Sequence, residues 1–254
     1  MNDWAPNQLV LGDVIDSLKN VPTGSSQLII ADPPYNLGPK FGNKKEWIRD
    51  GNWQEWSRAW LAECKRILSD DGNLFVYGIH HYLCYTQVAL YDLDMYYRRQ
   101  IIWHYENGFS SSRKTLATHY EPLLWFSKSE NYFYKEIREP YKSTERLKHK
   151  ITKNGKEWTP NPAGRMAGDI WSFPTLAGRR FANEKVDHPT QKPLSISRRI
   201  VEHFSEPGKL VIIPFIGSGS ECVAAAELGR EYWGCEINEK YLDIATKRLQ
   251  GLII

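Results

Sequence analysis

The sequence predicts an α/β fold, with a mostly parallel sheet and helices on both of its faces. Unbroken apolar runs, such as those at residues 27–31 and 209–213, are typical of strands that are covered on both faces. Segments in which apolar residues recur at helical spacing, such as residues 53–68, lie between these runs. Strands and helices that alternate in this way form parallel sheets, because each helix carries the chain back to the start of the next strand.

The individual elements follow in order from the same signals. The second strand is expected to end at Asp32, because the two prolines that follow cannot donate to a sheet ladder. Residues 70–72 (Asp-Asp-Gly) are expected to end the second helix, and the polar, glycine-rich segment 36–52 is expected to be a mobile loop. Seven strands are expected, within residues 7–13, 27–31, 73–77, 97–103, 122–126, 209–213 and 231–235. Six helices are expected, at residues 14–18, 53–68, 82–90, 194–204, 220–228 and 238–249.

Length and composition indicate one globular domain over residues 1–254. Hydrophobic residues make up 41% of the chain and charged residues 25%, which excludes a disordered tail or a fibrous repeat. The 4 cysteines are far apart and form no CxxC pair, so neither a disulfide framework nor a cysteine-built zinc site is expected. No apolar run approaches about 20 residues and the N-terminus lacks a secretory signal, so we expect no membrane span and a cytoplasmic location.

The positive charge of the chain is concentrated in its middle. The net charge is only +3, yet residues 98–156 contain 13 Lys and Arg against 6 Glu and no Asp. Such a segment fits a polyanionic partner, or else a basic face that is merely solvated. Within it, the stretch from about residue 131 to 167 is broken by prolines and has no convincing period, so it is a candidate insert.

A glycine turn lies near the C-terminus, at residues 211–219. Gly217 and Gly219 separate a strand from a helix, where the backbone can approach a ligand closely. About 20 residues further on, Glu236 ends the next strand and could accept hydrogen bonds from ribose hydroxyls. A dinucleotide motif would need a third glycine where Cys222 stands. The turn therefore suits an adenosine-type cofactor, and a tight structural turn remains the alternative.

A second turn, Asp32-Pro33-Pro34-Tyr35, leaves the carboxyl end of a buried strand, which is where open α/β sheets bind ligands. The prolines hold the backbone extended. The Asp32 carboxylate and the Pro33 carbonyl then point into a common space as acceptors, with the flat face of Tyr35 beside them. This arrangement suits an exocyclic amino group on a planar base. The alternative is a proline-rich turn that is capped by an aspartate.

Five motifs carry a family resemblance: residues 11–13 (LGD), 31–37 (ADPPYNL), 120–126 (YEPLLWF), 188–193 (HPTQKP) and 214–220 (PFIGSGS). Together they resemble the DNA amino-methyltransferases, which transfer a methyl group from S-adenosylmethionine to adenine N6 or cytosine N4. The order, with the proline turn first and the glycine turn last, is similar to the circularly permuted β class. The resemblance implies a seven-stranded Rossmann-like sheet with a basic DNA-recognition insert at roughly residues 106–167.

The resemblance also implies roles for individual residues. Asp32 and the Pro33 carbonyl would accept the two N–H bonds of the target amine, with Pro34 completing the rigid turn and Tyr35 stacking on a flipped base. No metal and no covalent intermediate is needed. Cofactor contacts are implied for Asp13, Asp32, Thr190, Gln191, Lys192, Phe215, Gly217, Ser218, Gly219, Ser220 and Glu236. The last of these would hold the ribose, and residues 190–192 would bind the methionine carboxylate. DNA contacts are expected from Arg113, Lys114, Lys142, Arg146, Lys148 and Lys150.

Several alternatives remain open at this point. Asp32 favours adenine, because relatives with Ser at this position mostly act on cytosine N4. Ile213 stands where the family usually has aspartate, which encourages the alternative of a non-catalytic DNA-binding relative. Methylation of RNA or protein amines is a third possibility. Double-stranded DNA is the expected partner of a bacterial or phage-type enzyme, with a homodimer and a cognate restriction endonuclease as further possible partners.

Overall fold

A computed structural model describes residues 4–36, 52–109, 113–114 and 116–251. The expected mobile loop falls largely on residues 37–51, outside the described part. The strands are β1 (Gln8–Leu11), β2 (Ser26–Ala31), β3 (Leu68–Tyr77), β4 (Tyr96–Phe109), β5 (Thr118–Ser127), β6 (Arg138–Glu139), β7 (Ile151–Lys153), β8 (Lys156–Trp158), β9 (Arg165–Met166), β10 (Ile170–Ser172), β11 (Leu210–Ile213) and β12 (Glu231–Glu236). The helices are α1 (Val14–Leu18), α2 (Asn52–Ile67), α3 (Leu83–Asp92), α4 (Leu194–Phe204), α5 (Ser220–Glu227) and α6 (Glu239–Gln250), with short 3-10 turns at Thr144–Lys148 and Arg179–Phe181.

The central sheet has the strand order β1-β12-β11-β2-β3-β5-β4-β10. The five neighbouring strands β1, β12, β11, β2 and β3 are all parallel to one another. Strand β5 is antiparallel to both of its neighbours, β3 and β4. The predicted α/β class with a mostly parallel sheet is therefore confirmed. The sheet has eight strands rather than the expected seven, because the short segment β10 adds to the edge beside β4, in parallel.

Alternating side chains of strand β2 divide the core into two layers. Leu28 and Ile30 of β2 pack on one face of the sheet with residues of α4 and α5. Ile29 and Ala31 point the other way and pack with residues of α1, α2 and α3. This period-2 alternation explains why β2 shows no polar interruption, since each of its faces is covered by helices.

The boundary after α2 differs from the expectation. The helix ends at Ile67, and the strand β3 begins at once with Leu68 and runs through residues 70–72. The polar residues fit in the strand because their side chains have partners: Asp71 accepts hydrogen bonds from Ser69 and from Gln27 of β2. The pairing of β2 with β3 shifts register between Ser26 and Leu28, which accommodates the extra residues.

Two turns that are far apart in sequence leave the sheet side by side. Strand β2 ends at the Asp32 turn, and β11 ends at the glycine turn. Because β2 and β11 are neighbouring parallel strands, both turns emerge at the same edge of the sheet. The order of the two turns along the chain is the one expected for the permuted class, and their adjacency in space determines where the site lies.

The basic middle of the chain divides between the sheet and a separate region. Residues 118–127 form the central strand β5, while the strand pairs β6/β9 and β7/β8 form two small sheets of their own. These small strands are mostly exposed. Among the described residues, no helix has the length and apolar character that crossing a bilayer requires.

Candidate active site

A cavity of about 1090 Å³ opens at the carboxyl ends of β1, β2, β11 and β12. Its wall brings together the two turns singled out in the sequence. The predicted site residues that line it are Asp13, Asp32, Pro33, Pro34, Tyr35, Thr190, Lys192, Phe215, Gly217, Ser218 and Glu236. Gln191, Gly219 and Ser220 lie behind the wall and support it.

The Asp32 turn is held from outside the sheet by helix α2. The indole Nε1 of the buried Trp53 donates to the carbonyl oxygen of Pro34 at 2.9 Å. Since neither proline has an N–H group, this indole fixes the turn through an acceptor that the prolines do provide. The turn is therefore rigid by its own backbone and is anchored by its neighbour.

A buried ammonium joins Asp32 to a second carboxylate. Lys192 is 3% exposed, and its Nζ lies 2.8 Å from Asp32 Oδ2 and 3.2 Å from Glu121 Oε2. The hydroxyl of Tyr35 donates to Asp32 Oδ1 and accepts from Lys192 Nζ at 3.2 Å. Four side chains from distant parts of the chain thus form one hydrogen-bonded cluster, which we call the Lys192 cluster: Asp32, Tyr35, Glu121 and Lys192.

The electrostatics of this cluster keep the lysine charged. Burial acts to lower the pKa of Lys192, but attraction to Asp32 and Glu121 outweighs that effect and raises it. Burial also raises the pKa of Glu121, while Lys192 acts in the opposite direction. The pKa of Tyr35 is raised well above its ordinary value by burial and by the adjoining carboxylates, so this phenol stays protonated at neutral pH.

Two further buried residues lie near the Lys192 cluster, and of these Glu221 lines the cavity. The hydroxyl of Tyr77, a residue 1% exposed, has no hydrogen-bond partner within the described structure, and Lys192 Nζ lies 4.9 Å from its ring centroid. Glu221, at the start of α5, is 5% exposed and accepts a hydrogen bond from Ser197 Oγ at 3.0 Å. Burial and the charge of Asp32 raise the pKa of Glu221.

The glycine turn and Glu236 form the other end of the cavity. Glu236 accepts hydrogen bonds from the backbone N–H groups of Gly217 and Asn238, both at 2.9 Å. Gly217 has φ +50°, and a Cβ on it would lie 3.0 Å from His188 Nε2. Gly217 therefore combines a left-handed conformation with a close approach of a side chain, two conditions that favour glycine.

Side chains beside the glycine turn complete this end. The Phe215 ring packs edge-on against Trp60 at 5.2 Å between centroids. Asp13 caps helix α1, with its Oδ1 accepting from Ile15 N at 2.8 Å. Arg248 of α6 donates to the Ser218 carbonyl at 2.6 Å, which ties the turn to the last helix.

Residues 188–193 cross from one end of the cavity to the other. Ser220 Oγ donates to the Lys192 carbonyl at 2.8 Å, so the first residue of α5 holds this segment in place. The side-chain amide of Gln191 ties the segment to the residues before it, because it accepts from Val186 N and donates to the Glu184 carbonyl. The motif predicts that Lys192 binds a cofactor carboxylate, whereas its ammonium contacts Asp32 and Glu121.

The expected DNA-contacting residues lie apart from the cavity wall. Arg113 and Lys114 are exposed and belong to the turn between β4 and β5, two strands whose residues Tyr105 and Tyr120 line the cavity. Of the other four, Lys148 and Lys150 pair with Glu145 and Glu157 respectively, and the described structure shows no ion pair for Lys142 and Arg146.

Sequence reasoning missed two acids of the cavity wall, Glu121 and the buried Glu221. Glu121 lies inside a motif used for the family resemblance, and a carboxylate directly before the apolar run Pro122 to Phe126 was the available signal. Glu221 follows the glycine turn directly, where a charged residue on an otherwise apolar helix was a comparable signal. Neither could be connected to Asp32 without the strand order.

The family follows from a match over most of the chain. Residues 26–247 match the N6/N4 methyltransferase family, described as DNA methylase. The chain belongs to this DNA methylase family. The resemblance inferred from the motifs is thereby confirmed, and S-adenosylmethionine is the cofactor of the family.

Individual proteins that resemble this DNA methylase span most of its length. The type II methyltransferase M1.MboII of Moraxella bovis is 34% identical over 260 residues, covering 98% of each chain. The DNA adenine methyltransferase YhdJ of Escherichia coli K12 is 30% identical over 245 residues, covering 95% of this chain and 82% of YhdJ.

Solved structures share the fold at lower identity. The complex of M1.HpyAVI with S-adenosylmethionine superposes with a TM-score of 0.64 at 21% identity, covering 95% of this chain and 98% of the other. The cytosine-N4-specific PvuII DNA methyltransferase gives a TM-score of 0.74 at 16% identity, with 96% and 86% covered. The fold is therefore that of the solved DNA methyltransferases.

Proposed function

We propose that this DNA methylase is a sequence-specific adenine-N6 methyltransferase that acts on a base flipped out of double-stranded DNA. The observation that carries the proposal is the shared cavity: the Asp32 carboxylate and the glycine turn with Glu236 face one space. A donor held at the glycine turn and an amine held at Asp32 would meet there.

The wall of the cavity fits S-adenosylmethionine in its charge. Among the described lining residues are six carboxylates but only one lysine, Lys192. Such a wall disfavours polyphosphates and favours a ligand that carries cationic groups. Glu236 would hold the ribose, and Phe215 and Gly217 would line the methionine end. When bound, the cofactor supplies an electrophilic methyl group on a sulfonium.

The Asp32 turn would activate the target amine. The lone pair of an exocyclic nitrogen is delocalised into the base and attacks poorly. Acceptance of its two N–H bonds by Asp32 and by the Pro33 carbonyl would draw the nitrogen toward tetrahedral geometry and stabilise the positive charge that develops on it. The rigid prolines keep both acceptors in place, so little reorganisation is needed at the moment of reaction.

Lys192 would support Asp32 rather than the cofactor carboxylate. Its ammonium holds Asp32 Oδ2 at 2.8 Å, and Tyr35 occupies Oδ1, so the Asp32 carboxylate is held in one orientation. Each carboxylate oxygen still has a second lone pair for the base. The positive charge of Lys192 thus makes Asp32 a fixed acceptor in a largely buried site.

Duplex DNA would reach the cavity with one base extruded. A base inside the stack cannot approach Asp32, and Tyr35 offers an aromatic face for an extruded one. The basic residues Arg113, Lys114, Lys142, Arg146, Lys148 and Lys150 would contact phosphates, which adds affinity without sequence information. The β4–β5 turn, whose strands line the cavity, is well suited to contact DNA beside the flipped base.

Adenine is preferred over cytosine for a reason of sequence. The turn begins with Asp32, and relatives with aspartate at this position mostly act on adenine; the relative YhdJ is by name an adenine methyltransferase. Cytosine-N4 methylation by the same chemistry is the second candidate, because the PvuII enzyme, which is cytosine-N4-specific, shares the fold with a TM-score of 0.74.

A non-catalytic relative is the weaker alternative. Ile213 motivates it, and this side chain is 1% exposed in the core, where it leaves the strand end without a carboxylate. The complete Lys192 cluster argues against it, because such a costly buried arrangement of charges has no use in a protein that only binds DNA. Action on protein amines is disfavoured by the long basic region, and the match to a DNA methylase family favours DNA over RNA.

The remaining expectations concern the setting of the enzyme. We propose a cytoplasmic protein of bacterial or phage type that associates with the nucleoid through DNA. A cognate restriction endonuclease and a homodimer stay proposals on family grounds, and they add nothing to the site itself.

The direct test is expression in a host that lacks DNA methylation, followed by nucleoside analysis and mapping of modified bases. We expect N6-methyladenine at one short recognition sequence. N4-methylcytosine at such a sequence would replace the adenine assignment with the second candidate. Unmodified DNA from cells that contain the folded protein would contradict both.

A further inference from the structure

The structure places a carboxylate without a cationic partner between the two ends of the cavity. Glu221 is 5% exposed, lines the cavity and accepts hydrogen bonds from Ser197 Oγ at 3.0 Å and from its own backbone N–H. Within the described residues it forms no ion pair. A buried carboxylate in this condition is costly unless a cation or a further donor reaches it.

The other carboxylates of the cavity wall near Glu221 are already supplied with donors. Asp32 and Glu121 share the ammonium of Lys192 and the hydroxyl of Tyr35. At the far end, Glu236 accepts two backbone N–H groups, from the glycine turn and from the start of α6. Glu221 differs from these three acids in being more buried than any of them while contacting no cation in the described structure.

The position of Glu221 matches one part of the cofactor. It is the second residue of α5, directly after the glycine turn, and its electrostatic neighbours include Asp32 and Lys192. A methionine chain that starts at the glycine turn and presents its methyl group to Asp32 must pass this point. The strand end before the turn cannot contribute a carboxylate there, because Ile213 is buried in the core.

We propose that Glu221 binds the α-ammonium group of the methionine part of S-adenosylmethionine. This inference rests on the proposed function and adds a residue to it. The ammonium would donate to the free oxygen of Glu221, while Ser197 holds the other oxygen. The group recognised is a primary ammonium, so the ligand class is an adenosyl amino acid rather than a plain nucleoside.

Tyr77 carries a second buried polar group without a partner in this part of the described structure, although it is not among the residues that line the cavity. Its hydroxyl is fully buried without a hydrogen-bond partner in the described structure, and burial and the charge of Glu221 both raise its pKa. A buried hydroxyl without a partner is rare in a folded protein and indicates a missing polar group. Because Tyr77 does not line the cavity, Glu221 is the residue that indicates a ligand here.

The test compares two ligands that differ only in the amino group. S-adenosylhomocysteine carries the α-ammonium, and 5′-S-(3-carboxypropyl)-5′-thioadenosine has hydrogen in its place. Calorimetric titration of the full chain should show at least about tenfold tighter binding of S-adenosylhomocysteine, as a hydrogen bond between charged groups implies. Glu221→Gln should remove most of this preference by weakening S-adenosylhomocysteine alone.

Glu227→Gln is the matched control. Glu227 ends the same helix but pairs with Arg198 outside the cavity, so both affinities should stay at their wild-type values. Ser197→Ala provides a second variant that keeps the charge of Glu221 and frees its carboxylate to turn. It should reduce the preference for the amino group in part, and it serves if Glu221→Gln does not fold.

The outcomes separate this inference from the proposed function. Wild-type protein that binds neither ligand contradicts the cofactor site itself. Wild-type protein that binds both ligands equally, a Glu221→Gln variant that weakens both equally or neither, or a Ser197→Ala variant with an unchanged preference overturns the role of Glu221 and leaves the cofactor site standing.

Discussion

Lys192 illustrates how single residues determine this site. A lysine that is 3% exposed keeps its charge only because two carboxylates lie within hydrogen-bonding distance of its Nζ. These ion pairs could not be predicted from the sequence, since Glu121 is 71 positions away and Asp32 is farther still. A motif can identify a lysine as a candidate site residue, but the tertiary structure determines which acidic residues it contacts.

Removing the Lys192 ammonium should destabilise the fold. In Lys192→Met, the carboxylates of Asp32 and Glu121 would face each other without a cation. We expect a loss of about 3 kcal/mol in the free energy of unfolding, at the lower end of the range for broken buried pairs, because both acids are about one-fifth exposed. Urea denaturation measures this loss.

Lys247→Met is the matched control, because Lys247 pairs with Asp243 on the exposed face of α6. An exposed pair of this kind contributes about 0.2–1 kcal/mol. Equal losses in the two variants would show that the buried cluster carries no special stability.

His188 should contribute to the dependence of stability on pH. Burial lowers its pKa below 6.5, so the folded state binds fewer protons than the unfolded chain. The free energy of unfolding should therefore fall as the pH drops below about 6.5, and level off once the folded-state pKa is passed.

His188→Gln should remove this part of the dependence. The difference in unfolding free energy between wild type and variant isolates His188 from His203, whose pKa burial also lowers. Chemical denaturation at a series of pH values between about 7 and 5 gives the two curves. Parallel curves across this window would exclude His188 as a contributor.

At the scale of elements, the predictable features are those with local causes. Pro33 and Pro34 end β2 where the sequence indicated, and α4 has the expected bounds because its apolar residues follow helical spacing. The course of residues 70–72 was not predictable, because the partner of Asp71 comes from β2. Strand β10 has only three residues, and its pairing with β4 is a tertiary effect.

The basic residues of the middle of the chain should make DNA affinity depend on salt concentration. If Lys142 and Arg146 contact phosphates, replacing both by alanine should reduce the slope of log K against log salt concentration by about 1.8, since each phosphate contact contributes about 0.9. Filter binding of a duplex between low and moderate salt measures the slope. The described structure shows no ion pair for either side chain, so the change should leave the fold intact.

Lys19→Ala serves as the control for this measurement. Lys19 is exposed and pairs with Asp16 at the end of α1, outside the basic region. Its replacement should leave the slope unchanged. A double variant of Lys142 and Arg146 with the wild-type slope would remove these two residues from the DNA interface.

At the scale of the whole molecule, the site exists because the strand order joins distant segments. Residues near 13, 32, 121, 192, 217 and 236 meet only because β1, β12, β11, β2, β3 and β5 are neighbours in the sheet. The sequence could predict the two turns and the family, since each has a local signature. It could not predict which acids surround Lys192, because that depends on packing between elements.

Cofactor binding should stabilise the whole fold. At a concentration of 100 times its Kd, S-adenosylhomocysteine should add about 2.7 kcal/mol to the free energy of unfolding. For a chain of this size that corresponds to a rise in Tm of about 5–10 °C. ATP at the same concentration should give no such rise, because its phosphates would face the carboxylates of the cavity wall.

Differential scanning fluorimetry with S-adenosylhomocysteine and with ATP measures these shifts in Tm. A Tm that does not respond to saturating S-adenosylhomocysteine, or that rises equally with ATP, would contradict the proposed cofactor cavity.

The central claim is that Asp32 activates an amino group of DNA inside a cavity that also holds the methyl donor. The most direct measurement is transfer of a labelled methyl group to duplex DNA by wild type, Asp32→Ala and the exposed control Asp16→Ala, with S-adenosylhomocysteine affinity measured on each. We predict label in N6-methyladenine for wild type and control. Asp32→Ala should fall at least about hundredfold in rate with a nearly unchanged affinity, since a preorganised polar group contributes about 2.7–4 kcal/mol to the transition state. An Asp32→Ala variant that transfers methyl groups at the wild-type rate would contradict the account.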